Sequence, residues 1–436
     1  MGYALVGLEA LIIIYCGVRG KEALFKASVI ITFLQNFILI VFSRWFNGST
    51  TTLFILLKEL AIYYGVFVYW LAKLCRKDFR FNIIDAAFVI FLLYSVVNMV
   101  INHSNISAAI ASLRQFLIPY SCYYFGRYVY RNNNQDRLIS FFFKAMFVLA
   151  LVSLVIDIFD PKQFWESLGF KQYQFNKTGS TLYSTDSFYT YDFGFKLRRL
   201  TSLLADPLAY AHLIGIAILL FLAKKYRENW MELVFFGSAI LCFSKFHVML
   251  IMVLAYLIVM RNTKTGWIRD LWTICLIVAV VFGYNYLTDY TAGLSANTAT
   301  GNHFSALRNG FENMSLFGGG LGTSGFNALL YGDSAATVKT SIDTSTIESF
   351  FATLLSQVGL LGSVIYYIGV ICIVRKLKMM FSETSDFKYY SCFVMLFAVL
   401  VESLVSASSI SMLGSGISFI FAGLLEQKYK SKISKL

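Results

Sequence analysis

Charged residues are scarce in this chain. Lysine, arginine, aspartate and glutamate make up 14% of its 436 residues, whereas a soluble domain carries roughly a quarter. Only 3 prolines occur and 58% of the residues are hydrophobic, with repeated apolar runs of about 20 residues, the length that crosses a bilayer. Because these runs are continuously apolar and do not alternate, they predict helices and not barrel strands. The sequence therefore indicates an all-α polytopic membrane protein.

Cysteine and histidine are also few, and they are not grouped. The 7 cysteines lie in or beside apolar runs without paired spacing, which is more typical of small buried side chains than of disulfides or metal ligands. The 4 histidines have no metal-ligand spacing, so a zinc site is not indicated. We expect no metal and no cofactor.

About thirteen apolar segments are long enough to be spanning helices, and we expect 12–13 transmembrane helices in a single integral membrane domain, residues 1–436. The first run has no basic segment before it and no small-residue cleavage site after it, which disfavours a removable signal peptide. The segments lie near residues 3–18, 27–44, 52–73, 82–101, 107–127, 138–159, 203–223, 229–243, 246–260, 268–287, 347–374, 389–407 and 411–426.

Lysine and arginine are concentrated in the short connections. With thirteen crossings, every basic cluster falls on one side of the membrane, and the positive-inside rule assigns that side to the cytoplasm. The N-terminus is then outside and the C-terminus inside. The net charge of +13 is mostly a topology signal, so nucleic acid is not an expected partner. The clusters are Arg19/Lys21/Lys26, Arg76/Lys77/Arg80, Arg127/Arg131/Arg137, Lys224/Lys225/Arg227, Arg261/Lys264/Arg269, Arg375/Lys376/Lys378 and Lys428/Lys430/Lys432/Lys435.

Two long polar stretches, near residues 160–202 and 288–346, fall on the outer (periplasmic) side and predict a function there. The first interleaves aromatic and hydroxyl-bearing side chains. Such a surface suits a carbohydrate, whose faces stack on rings and whose hydroxyls take hydrogen bonds. An aromatic belt at the membrane interface is the structural alternative.

Cations stand on the outer side against the general trend. Arg198 and Arg199 precede the seventh predicted helix, and a guanidinium fork binds phosphate oxygens in a bidentate manner; anchoring to lipid headgroups is the alternative. Asp206, followed by a proline, would orient an arginine or start the helix. Lys245 lies in a short outer connection, where a lone lysine also commonly extends to the interface.

The second outer stretch combines an arginine, a glycine-rich turn and a carboxylate. Arg308 precedes the sequence LFGGGLGTSG, with Gly319 eleven positions after it, and such glycines let backbone N–H groups approach an anion. No strand precedes them, so this is not a dinucleotide-binding motif. Glu348 follows at the start of the eleventh predicted helix. It would cap that helix or act as a general base toward a sugar hydroxyl.

Ionisable residues also interrupt the apolar segments, where a charge at mid-bilayer costs about 2.5–3.5 kcal/mol on insertion scales. Arg114 and Glu402, with Lys58 and Glu59, fall in the outer halves of their helices. They would line a cavity that opens outward or form structural ion pairs, for example Lys58 with Glu402. Asp85 and Lys144 complete the set.

Together these features resemble the bacterial O-antigen ligase/polymerase superfamily, especially the Wzy-type polymerases of O-antigen and capsular polysaccharide. The resemblance covers roughly residues 198–362. The order, spacing and shared outer location of four pieces carry it. They are R-x-x-S-x-x-x-D-P at 199–207, Ser-Lys at 244–245 where the family often has Ser-Arg, Arg308 with Gly319, and ESFFATLLSQVGLLG at 348–362.

The resemblance implies a GT-C-type membrane glycosyltransferase that uses an undecaprenyl-diphosphate-linked glycan as donor and needs no metal ion. It implies that Arg199 and Arg308, joined by Arg198 and Lys245, hold the donor diphosphate and neutralise charge on the leaving group. Glu348 would accept the proton of the acceptor hydroxyl. The implied location is the bacterial inner membrane, with a lipid-linked acceptor, membrane lipid, a chain-length regulator and a flippase as partners.

Two differences from the family pattern bear on function. Ligases that transfer polymer to lipid A-core usually carry His-Asn where this chain has Glu348-Ser349, which favours a polymerase. The Arg-x-x-Gly of many members ends at Ser202 here, and Arg199 has Tyr210 eleven positions on.

We expect a polymerase that joins lipid-linked repeat units, with an O-antigen ligase and a non-enzymatic flippase or transporter as alternatives. No internal repeat is evident, and the candidate functional residues lie in the outer third of the protein. Both observations disfavour transport.

Overall fold

The structure is a computed structural model, which describes residues 1–75, 81–131, 134–158, 161–178, 188–190, 197–223, 229–244, 246–247, 250–251, 253–254, 299–331 and 349–433. Within these ranges the chain is nearly all helical, apart from one short antiparallel hairpin. The predicted all-α class is confirmed for the described part of the chain.

The described fold contains fifteen α-helices, one short 3-10 helix (Ser43–Trp45) and two short strands. The first eight helices are α1 (Gly2–Arg19), α2 (Lys21–Val41), α3 (Gly48–Leu74), α4 (Ile83–Ile101), α5 (Ile106–Val129), α6 (Gln135–Ile158), α7 (Pro161–Leu168) and α8 (Phe170–Thr178). The hairpin strands are β1 (Tyr189–Thr190) and β2 (Leu197–Arg198), with Tyr189 opposite Arg198. The remaining helices are α9 (Pro207–Leu222), α10 (Asn229–Leu241), α11 (Ala299–Glu312), α12 (Gly325–Tyr331), α13 (Phe350–Thr384), α14 (Phe387–Glu402) and α15 (Gly416–Ile433).

Six of the described helices, namely α1 to α4, α6 and α13, are long and apolar enough to cross a membrane. The helices α9 and α10 are apolar but shorter. Helices stand at the first eight predicted segments and at the last three. The predicted segment 246–260 is described only in part, and 268–287 lies outside the described residues.

The helix bundle has two distinct ends. We call one the loop end, because residues 42–47, 102–105, 161–178, 188–190, 197–206 and 403–415 lie there. Hydrogen bonds join these connections: the Asn176 amide donates to the carbonyl oxygens of Ser43 and Phe46, each at 2.8 Å. The opposite end carries ion pairs such as Lys376–Glu426 at 3.2 Å and Lys428–Asp386 at 3.4 Å. We call it the basic end.

The main core is built around α5, whose second half is buried from Ile118 to Val129. The helices α5 and α15 pack closely because glycines face each other. A methyl group at Gly126 would overlap the Ile420 carbonyl, and one at Gly423 would overlap the Tyr123 carbonyl. Small residues of this kind let helix backbones approach in a membrane, where van der Waals packing drives association.

A second, smaller core lies at the loop end and includes the aromatic stretch. Trp165, Phe170, Tyr173 and Phe188 are all buried there against α2, α3 and α6. The indole N–H of Trp165 donates to the Thr201 hydroxyl at 3.0 Å. These four rings therefore hold the loop end together. They are neither a sugar-stacking surface nor an interfacial belt, the two alternatives drawn from the sequence.

The long helix α13 is broken at Gly359, about 14 Å from its first residue. Gly359 has φ 69° and ψ −174°, so the backbone N–H groups just after it have no partner in the preceding turn. Leu360 and Leu361 donate instead to the carbonyl oxygens of Ser315 and Leu316, at 3.0 and 3.1 Å. Irregular backbone at membrane depth is tolerated when it is buried in protein in this way.

Candidate functional site

The R-x-x-S-x-x-x-D-P stretch forms a tight connection between β2 and α9. Ser202 and Ala205 have φ of 58° and 48°, in the left-handed region that glycine favours. Asp206 caps α9: its carboxylate accepts the N–H groups of Leu208 and Ala209, each at 3.0 Å. Of the two roles predicted for Asp206, the structure shows helix initiation.

The finding at Ser202 bears directly on the family resemblance. Ser202 stands where many members of the polymerase family have glycine, and its backbone adopts the conformation that a glycine would take without strain. Its hydroxyl accepts the N–H of Leu204 at 3.2 Å, and the side chain is fully buried. Ser202 therefore occupies a turn position that glycine would take without strain.

The two arginines before this turn have different surroundings. Arg198 is largely exposed and forms an ion pair with Asp157 at 3.0 Å, and it also donates to the Asp157 carbonyl at 2.6 Å. Arg199 is half-buried; its backbone N–H donates to the Phe188 carbonyl at 2.8 Å. Arg199 and Asp157 both lie near Cys242, at the end of α10.

The described residues Ser244, Phe246 and His247 follow α10, whose end contacts this connection. The N–H of Leu200 donates to the carbonyl of Leu241, the last residue of α10, at 3.0 Å. Beyond α10, the ring of Phe246 stacks on His212 with 4.2 Å between ring centres. The Nε2 of His247 lies 3.1 Å from the Ala211 carbonyl. Lys245 itself lies outside the described residues, so its predicted role stays a prediction.

His212 and Glu402 form a buried pair that the sequence analysis missed. The Nε2 of His212 lies 2.6 Å from a carboxylate oxygen of Glu402, and both side chains are buried. The Nδ1 lies 2.8 Å from the Leu208 carbonyl, which can only accept, so Nδ1 carries a hydrogen. A second hydrogen must then lie between Nε2 and the carboxylate. An ionisable side chain inside an apolar helix is itself a signal of function, and His212 in α9 could have been found from it.

The Glu402 end of α14 also contacts the start of α13. Ser349 caps α13 by accepting the N–H of Ala352 at 3.1 Å, and its hydroxyl donates to the Leu404 carbonyl at 2.7 Å. The N–H of Phe351 donates to the Ser403 carbonyl at 2.9 Å. Glu348 lies outside the described residues, immediately before this cap. The capping role considered for Glu348 therefore belongs to Ser349.

The glycine-rich sequence does not form the predicted anion-binding turn. The N–H groups of Gly319 and Gly320 donate to the carbonyls of Ser356 and Gln357, at 2.8 and 3.0 Å. The N–H of Gly322 donates to the Gln357 side chain at 2.9 Å. These donors face the break in α13, so they are not directed at a ligand. Gly318 is the glycine that the break itself requires, because a methyl group there would overlap the backbone of Gln357 and Gly359.

Arg308 lies on α11, which packs on the first turns of α13 at Gly310 and Ala352. Its side chain is 74% exposed and forms an ion pair with Glu312 at 2.7 Å, one turn further on. The hydrogen bond to Glu312 raises the pKa of Arg308. The described contacts thus give Arg308 and Arg198 separate carboxylate partners.

The other predicted cavity residues form ion pairs and hydrogen bonds. Arg114 pairs with Glu59 at 2.7 Å, and the Lys58 ammonium donates to the Gln35 side chain. The suggested pair of Lys58 with Glu402 is wrong, because Glu402 contacts His212 instead. Among the described residues, no three His, Cys, Asp or Glu side chains are close enough together to hold a metal ion.

Comparison with known proteins identified no family for this chain. The sequence matches no protein-family model, and no curated protein matches it as a relative. The resemblance to the Wzy-type polymerases therefore rests on the four sequence pieces alone.

Proposed function

We propose that the protein is a membrane glycosyltransferase of GT-C type that joins undecaprenyl-diphosphate-linked oligosaccharide repeat units into a polysaccharide. The observation that carries this proposal is the convergence of three motif pieces at the loop end. These pieces are far apart in sequence, yet a short series of contacts connects them.

The contacts run from the first piece to the last. The turn after Arg199 is bonded to the end of α10 through Leu200 and Leu241, and the next residues stack on α9 through Phe246. His212 of α9 pairs with Glu402. The turn after Glu402 holds the cap of α13, which directly follows Glu348 in the chain.

In this proposal the cations of the loop end bind the donor diphosphate. Arg199, Arg308, Arg198 and Lys245 supply the positive charge, which stabilises the leaving diphosphate as the glycosidic bond breaks. Arg198 and Arg308 would exchange their carboxylate partners for phosphate oxygens. Because both are exposed in the structure, that exchange requires no opening of the core.

Glu348 serves as the general base in this mechanism. It takes the proton of the attacking acceptor hydroxyl while the anomeric carbon leaves the donor diphosphate. The new glycosidic bond joins donor glycan to acceptor, and the released product is the diphosphate-linked lipid carrier. No metal ion or cofactor is needed in this scheme.

Topology supports a site on the outer face of a bacterial inner membrane. The described basic clusters, such as Lys376 with Lys378 in α13, lie at the opposite end from the proposed site, and a cytoplasmic basic end leaves the loop end outside. A lipid-linked donor and acceptor, a flippase that delivers them and a chain-length regulator are the partners that fit such a site.

The broken helix α13 raises the transporter alternative, because discontinuous helices commonly form transporter binding sites. In transporters the half-helix ends face the substrate. Here the N–H groups of Leu360 and Leu361 and the carbonyls of Ser356 and Gln357 are all bonded to residues 315–320. The break is filled by the chain itself, which favours the enzyme over the transporter.

Substitution of Glu348 by glutamine tests the proposal in cells. We expect Glu348→Gln protein to insert normally and to leave single repeat units where the wild type gives a ladder of polymer on a gel. The matched control is Glu166→Gln, which removes a loop-end carboxylate that pairs with Lys171 at 3.2 Å. A normal ladder from Glu348→Gln would remove Glu348 from the mechanism.

A further inference from the structure

Arg127 is a buried guanidinium at the basic end, far from the proposed catalytic site. It lies in the last turn of α5 and is 6% exposed. Its guanidinium carbon lies 4.9 Å from the ring centre of Tyr69, 5.6 Å from that of Tyr123 and 6.0 Å from that of Tyr124. We call these four residues the Arg127 cage.

The guanidinium has no counter-anion among the described residues. Its Nε and Nη1 are buried there without a hydrogen-bond acceptor, and none of the described carboxylates forms an ion pair with it. An arginine cannot lose its charge by deprotonation. Tyrosine faces and the nearby helix C-terminus attract the charge, yet ring faces leave the in-plane N–H groups at the guanidinium edge without an acceptor.

The neighbouring charges do not compensate. On α3 and α4, Lys73 is paired with Asp85. On α13 and α15, Lys376 and Lys430 share Glu426, at 3.2 and 2.9 Å. Lys376 also interacts electrostatically with Arg127. With Arg127 included, four cations thus face two carboxylates that lysines already occupy.

We propose that the Arg127 cage and Lys376 bind a phosphate group, as carried by an anionic phospholipid headgroup or by a soluble phosphate. Stacking on tyrosine faces leaves the buried Nε and Nη1 without an acceptor, and this edge of the guanidinium matches two phosphate oxygens. Arg127 lies within one turn of the end of α5. Basic pockets between helices at this depth are suited to lipid headgroups. The site is independent of the proposed glycosyl transfer.

Thermal unfolding of the detergent-purified protein tests this site. Short-chain phosphatidylglycerol, phosphatidylcholine and inorganic pyrophosphate are titrated separately, and the unfolding midpoint is followed. We expect the wild type to be stabilised by at least one of the two phosphate anions and not by phosphatidylcholine. A response to phosphatidylglycerol alone assigns the ligand to lipid, and a response to pyrophosphate alone assigns it to a soluble phosphate.

Two variants make the test specific. Arg127→Gln should weaken the apparent affinity about tenfold or more, as expected for loss of charge-assisted hydrogen bonds. Lys378→Gln removes an exposed cation of α13 at the same end and should bind as the wild type does. If Arg127→Gln does not fold, Lys376→Gln, whose side chain is 28% exposed, replaces it.

Three results would overturn the proposal. The first is an unchanged midpoint of the wild type with both anions, which would assign the cage to structural cation–π packing. The second is unchanged affinity in Arg127→Gln, or in Lys376→Gln where that variant replaces it. The third is equal weakening in Lys378→Gln, which would show only general attraction to a basic surface.

Discussion

At the scale of single residues, two features near the loop end should affect stability: a backbone conformation and a buried hydrogen bond. Ser202 holds a left-handed backbone conformation without being glycine, and His212 shares a hydrogen with Glu402 inside the bundle. Ser202 lies in the connection that follows Arg199, and His212 lies on α9, the helix after that connection. Their effects on stability can be measured separately from any activity.

Because the backbone at Ser202 is strained, we expect glycine at this position to give a more stable protein than alanine. A non-glycine residue in the left-handed region costs roughly 1–2 kcal/mol, while the hydrogen bond from Leu204 to the serine hydroxyl contributes about 1 kcal/mol. Ser202→Gly loses the bond but relieves the strain, whereas Ser202→Ala loses the bond and keeps the strain. We expect the glycine variant to be about 1–2 kcal/mol more stable than the alanine variant. Thermal or denaturant unfolding in detergent measures this difference, and equal stabilities would contradict the assigned turn.

The buried His212–Glu402 pair predicts a difference between two substitutions of Glu402. Glutamine can still donate a hydrogen bond to Nε2 of a neutral His212. The free energy of unfolding of Glu402→Gln should therefore lie within about 1–2 kcal/mol of that of the wild type. Glu402→Leu leaves a buried imidazole without a partner, and its free energy of unfolding should fall by about 3–5 kcal/mol. Unfolding midpoints of both variants check this. A leucine variant as stable as the glutamine variant would mean that the pair contributes little.

At the scale of elements, the broken helix α13 and residues 315–324 form one structural unit. Four backbone hydrogen bonds cross between them, two in each direction. The Tyr94 hydroxyl, 2.9 Å from the carbonyls of both Phe317 and Val358, holds the unit against α4. The unit holds the first part of α13 in place against α4.

Two glycines of this unit should respond very differently to alanine. Gly359 has a positive φ, and a methyl group there would overlap backbone atoms of Gly318 and Leu316. Gly359→Ala should therefore lower the free energy of unfolding by at least about 3 kcal/mol, because it adds left-handed strain and breaks hydrogen bonds. Gly319→Ala is the matched control, because its methyl group would meet nothing closer than the Thr323 hydroxyl at 3.5 Å.

Expression level and unfolding midpoint in detergent measure both variants. We expect Gly319→Ala to behave as the wild type. If Gly319→Ala were as damaging as Gly359→Ala, the loop would need glycine for a reason other than this close packing, and the anion-binding role would have to be considered again.

At the scale of the whole molecule, the sequence predicted the features that are set by neighbouring residues, namely the positions of the helices. Apolar runs located the helices because hydropathy is a property of neighbouring residues. The partner of Glu402 could not be predicted in this way, because His212 lies 190 residues away. The buried aromatic side chains near Trp165 were also misassigned, since composition does not distinguish a small core from an exposed binding surface. The glycine loop was misassigned because its partner is a break in α13.

The polymerase proposal is tested most directly with purified protein in detergent or vesicles. The protein is incubated with its undecaprenyl-diphosphate-linked repeat unit, and the products are separated on a gel. The account predicts a ladder of polymer from the wild type without added metal, and only single repeat units from Glu348→Gln. A wild-type protein that folds, binds the lipid-linked unit and yields no polymer would contradict it.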